Sequence, residues 1–294
     1  MDSAVERQLR KMLFDHLADI ADDRGIVTRA DLESISLRGN IYKAVDRNSG
    51  IWNPNAFMAT LSVISDPDGE YDDGEIGDSL YSYAYEKTSV DGKNIKMRRA
   101  LELQLPIILL RKVATSAFVP VFPVYVVHDD MPNRRFILAL DENLRFVDDP
   151  LHLKPVERRY AERAVKIRLH QPEFRGRILI AYQRRCTVCT LRHGKLLDAA
   201  HIVGDNKAHG LPIVQNGLSL CKIHHAAYDA NLLGISPDYV VSINRELMEE
   251  IDGPMLRHGL QDMDGRMLTL PPRRADRPSK NRLAERFEEY RRAG

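Results

Sequence analysis

Apolar positions near the start of the chain recur every three or four residues. Val5, Leu9, Met12, Leu13, Leu17 and Ile20, with His16 among them, fall on one face and predict a helix over 3–24. Residues 28–34 (TRADLES) begin a second short helix with Thr28 as its N-cap. The pair lacks the basic face of a groove-reading helix and reads as a packing cap. From Gly50 the pattern shifts to short apolar runs and period-two alternation. Strands are predicted over 59–64, over 80–88 with Tyr81, Tyr83 and Tyr85 alternating, and over 106–113, 118–127 and 134–140, with a helix at 97–104. Pro120 and Pro123 favour edge or bulged strands over a central parallel sheet. A curved β-barrel of about five or six strands fits this spacing. Helical periodicity returns over 154–169 and 172–184. A strand and helix follow within 239–251, and a polar, Pro-punctuated stretch from Pro271 ends in a basic helix.

A length of 294 residues predicts two domains. The net charge of +1 hides an uneven distribution. Residues 66–78 hold seven acids and no base, whereas 272–294 hold eight bases against four acids. The three cysteines cannot form a disulfide framework, and two of them make a C-x2-C pair, which suits a reducing compartment and a metal site. The charged start MDSAVERQLRKML lacks a signal core. No apolar run approaches the ~18 residues of a membrane span. A cytoplasmic location without membrane contact is the expectation.

All three cysteines fall between Cys186 and Asp229. Cys186 and Cys189 have the spacing of one zinc knuckle, and Cys221 with His224 offers a second, which predicts a closed, structural Cys3His zinc site. His201 ends the apolar-bounded run LLDAAHIV, in which Asp198 and Ala200 share one strand face and His201 takes the other. Asn216 comes fifteen residues later and His225 nine after that. This order of His, Asn and His around matched knuckles strongly resembles the HNH (ββα-metal) endonucleases over about 186–232. The resemblance implies His201 as the general base that takes a proton from the attacking water, a task suited to an imidazole. It implies Asn216 as the residue fixing the loop and orienting that base, and His225 as a ligand of one catalytic divalent ion, Mg²⁺ or Mn²⁺. Many members of the family carry Asp before the first His as a second ligand. Ala200 stands there in this chain, so Asp198 is the expected substitute, with Asp229 a lesser alternative. Residues 171–235 hold eight Lys/Arg against four Asp/Glu, and Arg184, Arg185, Arg192 and Lys195 are candidate phosphate contacts.

The segment GEYDDGEIGDSLYSYAYEK followed by NIKMRRALEL resembles an SRA (SET- and RING-associated) domain, over about 50–145. The matching features are Tyr71, Asp72 and Asp73, then Tyr81 and Tyr83, then Asn94 and Arg99-Ala100-Leu101. Such domains flip a modified cytosine from the duplex and stack it on aromatic rings, while a carboxylate accepts from its amine. The resemblance implies Asp73 as that acceptor, Tyr71 and Tyr83 as stacking walls, and Tyr81 beside them. Lys93, Lys96, Arg98 and Arg99 could follow the DNA backbone. Trp52 reads as core.

The expected architecture is α+β. Residues 1–152 form N-terminal helices plus an SRA-like (PUA-like) barrel, 153–172 a helical linker, 173–270 an HNH domain with structural zinc, and 271–294 a basic tail. The expected activity is cleavage of double-stranded DNA carrying 5-methyl- or 5-hydroxymethylcytosine. An HNH site cuts one strand, so a homodimer is expected on DNA. Two alternatives stay open: a nuclease triggered by phosphorothioate DNA or a nucleotide, and a zinc-stabilised DNA-binding protein that does not cleave.

Overall fold

The computed structural model describes residues 2–47, 49–67, 69, 73–76, 80–86, 90–207 and 209–293. The chain forms two compact units. One holds Met1–Asp22 and Ile26–Glu173, the other Asp23–Gly25 and Phe174–Gly294. The elements of the first, in chain order, are α1 (Ser3–Arg24), β1 (Val27–Thr28), α2 (Arg29–Glu33), β2 (Ile35–Leu37), β3 (Asn40–Tyr42), β4 (Ile51–Trp52), β5 (Ser62–Ser65), β6 (Gly74–Ile76), β7 (Leu80–Ala84), α3 (Asn94–Leu103), β8 (Ile107–Ala114), β9 (Ala117–Asp130), β10 (Arg135–Ala139) and α4 (Pro155–Val165). A π turn, Lys166–His170, continues α4.

Among the described residues, eight strands make one sheet in the order β4-β5-β8-β9-β10-β7-β6, with β1 beside β9. Every pairing is antiparallel except β5 with β8. The sheet curls into a half-barrel with open ends at β4 and β6, not the five- or six-stranded barrel expected. The two prolines do not mark an edge, because β9 is fourteen residues long and central in the order, but the strand is irregular beside Pro123, where its register shifts between Val121 and Val124 as a bulged strand's would. It changes partners along its length. Ala117–Val124 pairs with β8, and Tyr125–Asp130 pairs with β10. Pro120 and Pro123 therefore lie where the strand is bonded mainly on one side, which spares their missing N–H groups. The acidic run 66–78, over which no strand is predicted from the sequence, contains β6, which pairs with β7.

The first helices do cap the sheet. Leu13 and Leu17 of α1 and Leu32 of α2 are fully buried against Ile108, Leu110 and Phe118, and Thr28 and Asp31 form a capping box at α2. Beneath α1 lies a buried ion pair, with Arg10 Nη2 2.6 Å from Glu6 Oε1 and both side chains fully buried. Arg10 also donates to the carbonyls of Ala59, Thr60 and Pro106, and Glu6 accepts from Met58 N. Burial pulls the guanidinium below its usual range, although Glu6 opposes this. A pair so buried is tolerable only with all its hydrogen bonds made.

The segment expected to be a linker packs on the sheet. Ala161 and Ala164 of α4 sit with Leu80, Ile137 and Ala139, and Val165 and Leu169 join the core under Tyr83 and Tyr85.

The second unit contains α5 (Gln171–Ala181), whose first residues belong to the other unit, β11 (Leu197–His201), β12 (Gly217–Cys221), α6 (Lys222–Asp229), β13 (Leu233–Ile235), β14 (Val241–Ile243), α7 (Arg245–Glu249), α8 (Pro254–Gly259) and α9 (Lys280–Ala293). The terminal helix is not a loose tail. Leu283 of α9 is fully buried in the unit's core. Arg286 lies over the Tyr228 ring at 4.7 Å and donates to Tyr228 O. Gly234 gives Tyr290 its space, since a Cβ there would lie 2.4 Å from the ring. Among the described residues no helix is long and apolar enough to cross a membrane.

Candidate active site

The hairpin of β11 and β12 lies against α5, with α6 following directly. Leu197 pairs with Cys221, Asp198 with Leu220 and His201 with Gly217. Residues directly opposite on an antiparallel pair share a face, so His201 and Gly217 both meet α5. A Cβ on Gly217 would lie 2.3 Å from Ile178 and 2.7 Å from Phe174, so this position has no room for a side chain. Tyr182 closes the contact by donating to Gly217 O at 3.0 Å. The space left by Gly217 lets the His201 ring stack on Phe174, with centroids 4.1 Å apart and planes 16° from parallel. A stacked ring is held in orientation by its neighbour.

Asn216, fully buried, holds the loop that leaves His201. Its Oδ1 accepts from Val203 N at 3.0 Å, and its Nδ2 donates to Val203 O at 2.9 Å and Leu211 O at 3.0 Å. The backbone adds Ile202 N to Asn216 O at 2.9 Å. Only a side chain with an acceptor and a two-hydrogen donor at its end can make this set.

The predicted zinc ligands come together. His224 Nδ1 lies 3.0 Å from Cys221 Sγ and 3.5 Å from Cys186 Sγ, and Cys189 Sγ is 3.9 Å from Cys221 Sγ. The four ligand atoms all fall within 4.8 Å of one another. Around a tetrahedral zinc with sulphur at ~2.3 Å, ligand atoms stand roughly 3.5–3.8 Å apart, so the donor set fits that ion. His224 Nε2 donates to Gly259 O at 2.8 Å, which leaves Nδ1 as the ligating nitrogen. Hydrogen bonds from Cys186 and Cys189 draw the Cys221 thiol below its usual range, and the same bonds push Cys186 up.

His225 faces other groups. Its Nδ1 is 3.4 Å from Asp198 Oδ2 and its Nε2 3.4 Å from Asp229 Oδ2. Lys222 Nζ lies 3.2 and 3.3 Å from the two Asp198 oxygens. Two ligand atoms at right angles on a divalent ion with ~2.1 Å bonds are about 3 Å apart, so Asp198 and His225 Nδ1 need only a small closure to share one. Sequence reasoning had not foreseen Lys222. Its place at the head of α6, just past a knuckle cysteine, was the available signal. Arg184, expected on phosphate, is 2.7 Å from Asp23 Oδ2. Arg192 and Lys195 are exposed.

In the first unit a cavity of about 310 Å³ is lined by Tyr83, Asp73, Glu86, Asp66, Ile51 and Gly50, among others. Asp73 Oδ1 accepts from Ala84 N at 2.8 Å, Glu86 Oε1 accepts from Ser49 Oγ at 3.0 Å, and Asp66 is paired with Lys112. A Cβ on Gly50 would lie 2.9 Å from the Tyr83 hydroxyl. Two of the expected reader residues, Asp73 and Tyr83, thus line the same cavity. Tyr71 and Asp72 lie outside the described residues. Tyr81 is elsewhere, because it is fully buried with its hydroxyl on Ser65 Oγ at 2.6 Å and Arg111 Nη1 at 2.7 Å. The tyrosine alternation did not reveal this, since Tyr81 and Tyr83, two apart on β7, share one face. Glu86 and Asp66 were not anticipated. Lys96 is committed to the carbonyls of Pro54 and Phe57, Arg98 to Asp129 at 2.7 Å, and Lys93 lies 3.5 Å from Asp46. Arg99, 46% exposed and 2.8 Å from Glu102, is at the surface. Trp52 packs on the core and donates to Lys43 O.

Residues 186–236 match the HNH endonuclease family. No curated protein matches the chain. Among solved structures it is similar to the modification-dependent restriction endonuclease TagI, at 18% identity and a TM-score of 0.31, covering 82% of this chain and 85% of that one. It is also similar to the type IV phosphorothioation-dependent restriction endonuclease ScoMcrA, at 17% identity and a TM-score of 0.24, covering 62% of this chain and about half (51%) of that one. The hairpin, helix and Cys3His cluster between Cys186 and Ile235 thus form an HNH endonuclease domain, and the chain that carries them is a nuclease.

Proposed function

We propose that the protein is a modification-dependent DNA endonuclease, in which the first unit receives a modified cytosine flipped from the duplex and the second hydrolyses phosphodiester bonds. The observation that carries this reading is the cavity where Tyr83 and the Asp73 carboxylate meet. Its volume, about 310 Å³, is at the lower end for a ligand pocket and suits one base. Tyr83 offers stacking, and Asp73 an acceptor for the exocyclic amine. Three carboxylates on its wall repel an anion. That favours a neutral base as the guest over a phosphorothioate or a nucleotide phosphate.

In the nuclease unit, His201 takes a proton from water as its oxygen attacks phosphorus. The P–O3′ bond breaks, leaving a 5′-phosphate, and the departing 3′ oxygen is protonated from solvent. Stacking on Phe174 and the Asn216 clamp on the adjoining loop hold His201 for that step. Asp198 and His225 Nδ1 would hold the divalent ion, Mg²⁺ or Mn²⁺. Asp229 Oδ2, 3.4 Å from Nε2 on the far side of the ring, would favour a proton there and leave Nδ1 for the ion. When bound, the ion neutralises charge on the scissile phosphate and leaving oxygen. Zinc on Cys186, Cys189, Cys221 and His224 would brace the fold beside it. One such site cuts one strand, so two chains acting together would break a duplex.

The test is digestion of matched plasmids carrying cytosine, 5-methylcytosine or 5-hydroxymethylcytosine, with Mg²⁺ or Mn²⁺. Cleavage confined to the modified plasmids is expected. Equal cutting of all three would sink the reader assignment while leaving the nuclease.

A further inference from the structure

Lys222 occupies an unusual place. It is the first residue of α6, between the knuckle cysteine Cys221 and the two histidines. Its ammonium is bonded to both oxygens of Asp198, at 3.2 and 3.3 Å, while Asp198 Oδ2 also faces His225 Nδ1 at 3.4 Å. This is the carboxylate assigned above to the catalytic ion, and the inference rests on that assignment. A lysine ammonium and a divalent ion cannot both hold one carboxylate without strong mutual repulsion. The contact is also easily released. The Lys222 side chain is 58% exposed, Asp198 30% and His225 26%, and a lysine stem has four rotatable carbons with which to swing its charge outward.

We infer that Lys222 is a built-in competitor for the catalytic ion, which holds Asp198 until a DNA phosphate draws the ammonium away. The phosphate offers the lysine a second anion close to the same site, and the vacated carboxylate then takes the ion. Ion binding and DNA binding are thereby coupled. Whatever factor DNA adds to ion affinity, the ion adds to DNA affinity. The device would keep the nuclease poorly loaded in the absence of substrate. Lys222 acts through Asp198 and is a positioning residue.

The measurement is Mn²⁺ binding to the full-length protein by electron paramagnetic resonance, with and without a short duplex, in a His201→Ala background. Lys222→Met should bind free Mn²⁺ roughly three- to tenfold more tightly than the parent, and the duplex should add little further. Lys222→Arg, which keeps the positive charge, should stay close to the parent. Asp198→Asn should lose at least about tenfold in affinity. Thermal melting of each variant reports folding. Weakened binding in Asp198→Asn with no tightening in Lys222→Met overturns the competitor role alone. Unchanged binding in Asp198→Asn overturns the ion-site assignment beneath it.

Discussion

On one side of α6, His224 is 2% exposed between Cys186 and Cys221, with its second nitrogen spent on Gly259 O. On the other, His225 is 26% exposed and meets Asp198 and Asp229, one at each nitrogen. Successive helical residues point about 100° apart, which is enough to send neighbours to separate sites. The first site is soft, closed and fully liganded by protein. The second is hard, open and short of ligands. A closed Cys3His set suits a structural zinc, whereas an open carboxylate–imidazole pair leaves positions for phosphate and water. On the function proposed above, one helix separates folding from chemistry within two residues, and each half can be attacked without the other.

The largest effect should come from the closed side. Cys221→Ser removes a ligand that also hydrogen-bonds His224, and structural zinc in small modules accounts for ~10–16 kcal/mol of binding free energy. Loss of bound zinc and collapse of the second unit's melting transition are expected, with the first unit's core still folding. Metal analysis and calorimetry check this. A variant that melts like the parent would show that the cluster does not brace the fold.

The open side should behave oppositely. His201→Ala deletes the proton acceptor and its stack on Phe174 but touches none of the cysteine cluster. Cleavage of modified DNA should fall by about 10²–10⁴-fold, while melting shifts little and the DNA is still bound in a mobility-shift assay. Undiminished cutting by this variant would remove His201 from the mechanism. A large loss of melting temperature would instead make it a packing residue.

How much of this was legible in the chain differs between the two units for a physical reason. Knuckle spacing is a short-range pattern and brought Cys186, Cys189, Cys221 and His224 together, whereas Asp198 beside His225 came from the resemblance to the HNH endonucleases and not from spacing. The Asn216 clamp follows from the same hairpin. Lys222 on Asp198 was missed because a long, exposed side chain has no fixed direction in sequence. In the first unit the contacts are long-range. Period-two alternation found β7 but could not tell Tyr83, on the cavity, from Tyr81, bonded to Ser65 and Arg111, because residues two apart on a strand share a face. The central place of β9 was hidden likewise. Its prolines allow an edge or a bulge, and only the register reveals that the strand is irregular beside Pro123 and changes partners halfway.

The first unit gives the smallest and most selective expectation. Asp73 and Tyr81 lie eight positions apart in the chain, yet of the two only Asp73 lines the cavity. Asp73→Asn replaces an acceptor-only carboxylate by an amide that can turn a donor toward a base amine. It also weakens the bond from Ala84 N. Preference for modified over unmodified plasmid should drop by roughly five- to a hundredfold, with little change in the cutting of nonspecific DNA. Tyr81→Phe should leave that preference intact, because among the described residues the lost hydroxyl is hydrogen-bonded to Ser65 and Arg111, at a cost in stability of about 1–3 kcal/mol for the partners left unsatisfied. The two variants therefore exchange signatures, one moving selectivity and the other stability. If Tyr81→Phe shifts the preference and Asp73→Asn does not, the flipped base must sit among the buried groups of β7, and the cavity beside Tyr83 is not its seat.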